Sequence, residues 1–212
     1  MKRRDFHETP DPLVLLRPRR KIVGMSAILL PFTAAGAIDW EGFARHVERT
    51  FGCGLVPAVN MDTGFAALLP PEERTRALEI AQGLAAGREY IAGAFVADSP
   101  GDAFALDAYR REIDLVRAHG GTPIIFPSYG LTGADPTVIF GAFASIARHC
   151  PRFFAFELGE MFLPSGKIFP MDVFAGLLDL PECVGAKHSS LRRDLEWQRL
   201  TLRNWRRPDF LI

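Results

Sequence analysis

The chain has 212 residues, 48% of them hydrophobic, and 25 basic side chains balance 25 acidic ones, so one sizeable core is affordable and the formal charge is zero. Without a strong basic field there is little to attract phosphate backbones or anionic lipid, which excludes a nucleic-acid or membrane partner, and no apolar run reaches the ~20 residues of a membrane helix. Three cysteines, Cys53, Cys150 and Cys183, are an odd number without CxxC spacing; they suggest neither a disulfide framework nor a zinc knuckle, and a cytoplasmic, reducing setting is expected.

Residues 1–21 are rich in Arg, Lys and Pro and read as a poorly ordered basic arm; the apolar residues 13–16 are too few for a signal-peptide core. A first strand is expected over 22–30. Asp39 then caps a helix carrying Phe43, Val47 and Phe51, which stops at Gly52. A second strand at 55–60 leads through Met61, Asp62, Thr63, Gly64 and Phe65 to a helix opened by Pro70, Pro71, Glu72 and Glu73. Proline and acids suit a first turn, where donors lack partners and the dipole favours negative charge. Further strands are expected at 90–97, 123–127 and 153–158, with helices over about 102–119, 135–146 and 171–180. The sixth strand ends near Lys187, a helix spans about 193–205, and residues 210–212 begin a seventh strand.

Strand and helix thus alternate with a period of roughly 30 residues, the size of a βαβ unit. Continuous apolar strands between amphipathic helices mean a parallel sheet covered by helices, and the missing glycine-rich fingerprint after the first strand favours a (β/α)8 (TIM) barrel over a dinucleotide fold. With six strand–helix units and the start of a seventh, the barrel is incomplete: residues 22–212 are read as one barrel domain lacking its C-terminal units. Open first and last edges would recruit another subunit or segment.

The stretch ending in Lys187 carries the chemistry. Alternation along a strand places Cys183, Gly185 and Lys187 on one face and Val184, Ala186 and His188 on the other. A partly desolvated amine at a strand end, with small neighbours leaving room for a ligand, can attack a carbonyl. Ser165, Gly166 and Lys167 lack the first glycine of a phosphate loop, and the five histidines show no metal-ligand spacing, so no metal is expected. His188 adjoins the lysine but points to the opposite face, where packing between strand and helix is expected.

From Lys21 onward the sequence resembles the dihydrodipicolinate synthase and N-acetylneuraminate lyase family, (β/α)8-barrel aldolases and hydratases that form a Schiff base on a strand-6 lysine. Four stretches carry the resemblance: GMSAILLPF at 24–32; Asp62, Thr63, Gly64 and Phe65 with the later LPPEER at 69–74; Pro127, Ser128 and Tyr129; and Val184, Gly185, Ala186 and Lys187. The resemblance implies that Lys187 forms the imine and that no cofactor beyond this covalent link is needed. It implies that Thr63, with the amides of Thr63 and Gly64, holds a substrate carboxylate, and that Tyr129 relays protons in a homo-oligomer. The family's strand-5 tyrosine is Phe156 here, which lines the substrate site without being able to exchange a proton. Asp62 replaces a threonine, Phe65 a glutamate, and the 159–161 loop offers Glu160 where an arginine reads a second carboxylate. Asp62, Glu157 and Glu160 are the carboxylates available to rebuild the relay. The expected function is therefore a Schiff-base lyase, aldolase or hydro-lyase, acting on a small 2-oxo or related carbonyl acid, and not a true dihydrodipicolinate synthase. The alternative is an inactive relative that keeps the pocket as a ligand-binding or oligomer-forming module.

Overall fold

The computed structural model describes Asp11, Leu13 and residues 16–212. Most of the expected basic arm therefore lies outside the described residues. Where the arm is described, Arg17 donates to Asn204 O at 3.3 Å and Arg20 to Asn204 Oδ1 at 3.0 Å, far along the chain.

Among the described residues six strands form one parallel sheet in chain order: β1 (Met25–Ala27), β2 (Val56–Val59), β3 (Ile91–Ala94), β4 (Thr122–Ile125), β5 (Phe153–Leu158) and β6 (Cys183–Ser189). The helices between them are α1 (Trp40–Gly52), α2 (Pro71–Ala85), α3 (Leu106–Ala118), α4 (Tyr129–Thr132), α5 (Pro136–Ala147) and α6 (Met171–Asp179), with α7 (Arg193–Arg206) after β6. The seventh strand announces itself: Leu211 bridges Gly185 in parallel, Ala186 N–H donating to Leu211 O at 2.8 Å and Leu211 N–H to Val184 O at 3.1 Å. The strands are in-order units of an incomplete (β/α)8 barrel.

Local sequence explains the element ends. Asp39 accepts from Gly42 N–H at 2.8 Å and caps α1, and Asp135 caps α5 through Thr137 and Val138, with Pro136 at the first helical position. Ala86 and Gly87 take positive φ after α2 and stop it. The observed β1 is shorter than the stretch expected at 22–30, because only three of its residues pair regularly with β2. The short α4 lies between the expected strand at 123–127 and the expected helix at 135–146.

Two apolar layers sandwich the sheet. Ala58, Met61, Ile91, Ile124, Phe126, Phe154, Phe156 and Leu158 fill the concave interior, while Ala94, Ile125, Phe153 and Ala155 pack outward on α5 and α6. The expected face assignment along β6 is corrected at its start. Phe153 pairs with Cys183 but Phe154 pairs with Gly185, so Val184 is an extra residue in a bulge. The bulge flips the alternation: Cys183 joins Ala186 in the outer layer and Val184 packs on the interior one. Gly185 and Lys187 keep the interior side.

Close packing inside the sheet leaves no space at Gly93, where an added Cβ would strike Asn60 O and lie 2.6 Å from Phe126 Cε2. Backbone cannot swing aside as a side-chain tip can. Gly93→Ala is expected to cost about 1–3 kcal/mol, read as a lower denaturant midpoint at constant slope; an unchanged midpoint would mean that β2 and β3 separate freely.

Candidate active site

The loop after β2 is built to aim Asp62. Asn60 (φ +52°) and Phe65 (φ +59°) hold left-handed conformations at its two ends, tolerated well by Asn and at a cost of roughly 1 kcal/mol by Phe. Between them Asp62–Gly64 form one 3₁₀ turn. Gly64 N–H donates to Met61 O at 3.0 Å and Phe65 N–H to Asp62 O at 3.1 Å, while the Asn60 amide donates to Arg74 O at 3.0 Å and ties the loop to α2. The turn brings the Asp62 carboxylate 2.7 Å from Lys187 Nζ.

Lys187 stands opposite Phe156 across the β5–β6 ladder. Its Nζ lies 4.3 Å from the centre of the Phe156 ring, and that fully buried ring is held edge-on by Phe126 at 5.1 Å. The amine therefore has a carboxylate on one side and an aromatic face on another. With 32% of its side chain exposed, Lys187 is also open to a ligand. Asp62 can take the proton that the amine must lose before it acts as a nucleophile.

Thr63 is exposed in the same turn as Asp62, and Gly64 is buried against Ile28 O, 3.1 Å from where its Cβ would stand. Tyr129 opens α4, and what fixes it is Asp98, whose two oxygens accept from Tyr129 N–H and Gly130 N–H at 2.8 Å each. Asp98 went unnoticed in the sequence because its partners are about thirty residues away. Among the described residues no direct bond joins Tyr129 to Lys187 or Asp62. Glu160 is exposed in the loop after β5.

Glu157, expected among the acids available for proton relay near the lysine, is corrected. It shares the parity of Phe153 and Ala155, so its fully buried carboxylate faces the helices. Arg199 of α7 donates to it through Nε at 2.8 Å and Nη2 at 2.6 Å, His188 Nδ1–H at 2.8 Å, and Phe169 N–H at 3.0 Å. Burial pushes the carboxyl up, but the hydrogen bonds from His188 and Arg199 outweigh it and hold Glu157 below the usual carboxylate range. With Nδ1–H committed, a neutral His188 ring accepts at Nε2, where Ser190 Oγ lies 2.9 Å away. The cluster fastens the end of β6, and hence Lys187, to β5 and α7. Its signal in the sequence was a lone acid inside the apolar run FFAFEL.

Inside the curve of the sheet lies a cavity of about 530 Å³. Lys187 borders it, its walls are apolar, including Met25, Ala58, Ile91, Ile124, Phe154 and Leu211, and Arg20, Lys21 and Arg203 also line it. Among the described residues no cluster of three or more His, Cys, Asp or Glu could hold a metal ion.

No protein-family model and no curated protein matches the chain. Solved structures do. A monomeric dihydrodipicolinate synthase variant superposes with a TM-score of 0.73 at 17% identity, covering 95% of this chain and 63% of its own. N-acetylneuraminate lyase from Mycoplasma synoviae gives 0.62 at 15% identity, covering 90% and 62%. The 2-keto-3-deoxygluconate aldolase from Sulfolobus gives 0.65 at 19% identity, covering 90% and 60%. The chain thus spans about three-fifths of the length of these barrels and has their fold, the parallel strand–helix units of an incomplete (β/α)8 barrel.

Proposed function

We propose that the chain belongs to a Schiff-base lyase acting on a small 2-oxo acid or related carbonyl acid. The observation that carries this reading is the Lys187–Asp62 contact at 2.7 Å beside an accessible cavity. Asp62 takes one proton from the ammonium, Nζ attacks the carbonyl carbon, and Asp62 hands that proton to the oxygen to give the carbinolamine; it then takes a second proton from the nitrogen and passes it to the hydroxyl, which leaves as water as the protonated C=N bond forms. Thr63 and the Thr63 and Gly64 amides orient the substrate carboxylate, and Phe156 packs beneath the imine. Tyr129 carries protons in later steps, the covalent link replaces any cofactor, and a homo-oligomer in a reducing cytoplasm is the expected setting. Three free thiols among the described residues are consistent with that compartment.

Incubation with pyruvate and borohydride is expected to add the mass of the reduced adduct at Lys187, and Lys187→Ala to abolish it. Asp62→Asn should slow trapping by about 10²-fold or more, since a positioned base contributes on that order. The second reading, an inactive relative that only binds ligands, is favoured by the inert Phe156 ring under the amine. A broad panel of oxo acids that leaves no adduct on Lys187 would decide for it.

A further inference from the structure

The Glu157 cluster ends in a hydroxyl that the fastening of β6 does not need. Glu157 and His188 are cross-strand partners on the β5–β6 ladder, and Ser190 follows His188 by two residues, the spacing that returns a side chain to the same face of an extended chain. Three groups therefore follow one another: the Glu157 carboxylate is 2.8 Å from His188 Nδ1, and His188 Nε2 is 2.9 Å from Ser190 Oγ. Lys187 keeps the interior side of the strand, so the imine chemistry uses none of them. Every member lies on β5, on β6 or in the segment that leads from β6 into α7.

Glu157 fixes where the protons sit. It accepts from Arg199 and from Phe169 N–H and is held below the usual carboxylate range, so it has no proton to give and the hydrogen on its contact with His188 belongs to Nδ1. A neutral ring then offers a bare Nε2. The Ser190 hydroxyl has two acceptors within reach, Nε2 at 2.9 Å and Arg192 O at 3.3 Å, and the shorter contact is the one to the imidazole. Arg192 N–H donates to Oγ at 3.3 Å and holds the oxygen in place. Leu191 N–H, next after the serine, has no partner among the described residues. A hydroxyl on an imidazole that a buried carboxylate orients is an activated nucleophile on whatever fold it occurs, and an N–H just after the nucleophile suits the oxyanion that forms.

We propose that Ser190 is a second nucleophile of this protein, activated by His188 and acting on small carboxylic esters. As Oγ attacks the ester carbonyl carbon, its proton passes to Nε2. The tetrahedral oxyanion collapses, the C–O bond to the alcohol breaks, and Nε2 gives the proton to the departing oxygen, leaving an acyl-serine. Water then attacks the acyl carbon while Nε2 takes its proton, and that proton returns to Ser190 Oγ as the acid is released. Ester and water become acid and alcohol, with no further reactant. Glu157, fastened by Arg199, keeps the ring in this tautomer and stabilises the imidazolium formed in each half.

The test is labelling with diisopropyl fluorophosphate, which forms a stable Oγ–P bond as fluoride leaves, beside hydrolysis of para-nitrophenyl acetate. Peptide mapping is expected to place the diisopropylphosphoryl group on Ser190 and not on the adjacent Ser189. Ser190→Ala should abolish the label and lower ester turnover at least tenfold, whereas Ser189→Ala should keep both. His188→Ala should slow labelling by about 10²-fold or more, the contribution of a positioned base, and added imidazole should restore part of the rate, as it would not in a variant slowed by a distorted fold. Should His188→Ala fail to fold, the mapped label and the two serine variants carry the test. Ser190→Ala should still trap pyruvate at Lys187, and Lys187→Ala should still take the label, so the two readings fail separately. No label on Ser190, equal labelling of Ser189, or a His188→Ala protein labelled at the parent's rate would each overturn the proposal.

Discussion

Arg199→Ala is expected to destabilise the protein by about 3–5 kcal/mol, because it leaves the Glu157 carboxylate buried with much of its compensation gone. Arg199 supplies three of the bonds that Glu157 accepts and also donates to Phe169 O at 2.6 Å, so one side chain holds β5, the segment before α6, and α7 together. Denaturant unfolding measures the loss, and a variant that unfolds with the parent would show that His188 and Phe169 N–H alone suffice. The double replacement Arg199→Met with Glu157→Leu should recover only part of the stability, since it removes the buried charges but strands Phe169 N–H, Phe169 O and His188 Nδ1–H, which bonded to them. Acid gives an independent check. Glu157 is held below the ordinary carboxylate range, so its contribution is present above the unfolded-state value of about 4.3 and is lost as pH falls through the lower folded-state value. Arg199→Ala removes part of what lowers that value, and its acid unfolding should begin at higher pH than the parent's.

The sequence made the strand–helix alternation legible because each unit is local: Asp39 and Asp135 cap their helices within three residues, and FFAFEL is continuous enough to be a strand on its own. Lys187 and Asp62 were singled out for another reason: they lie in short stretches that resemble a known pattern, Asp62 as a departure from it, and the fold brings them 2.7 Å apart. What stayed hidden is what depends on distant partners. An arginine in an amphipathic helix looks solvated until its fold sets it on Glu157, 42 residues earlier, and Arg20 and Arg203 meet only because the segment before β1 crosses the end of α7. The bulge at Val184 was equally invisible, since strand pairing rather than composition decides where an extra residue is accommodated.

Dihydrodipicolinate synthase activity on pyruvate and aspartate semialdehyde is expected to be at background, even with pyruvate trapped normally at Lys187. That reaction requires protons to be moved as the enamine forms and adds to the aldehyde, and a cation to hold the aldehyde's distant carboxylate. At the first requirement stands Phe156, fully buried, its ring 4.3 Å from Nζ where a hydroxyl is needed. At the second, the 159–161 loop presents Glu160, which repels a carboxylate. Loss of one positioned acid–base group alone costs on the order of 10² to 10⁴ in rate. A coupled assay of the parent beside Phe156→Tyr separates the two defects: a gain in the variant identifies the hydroxyl as the limiting part, and a gain only on adding Glu160→Arg identifies the charge. Robust turnover by the parent would refute the argument outright. Trapping of pyruvate at Lys187 in all three proteins is the control that makes low turnover informative, because it shows that the amine still reacts and places the deficit in the steps after the imine.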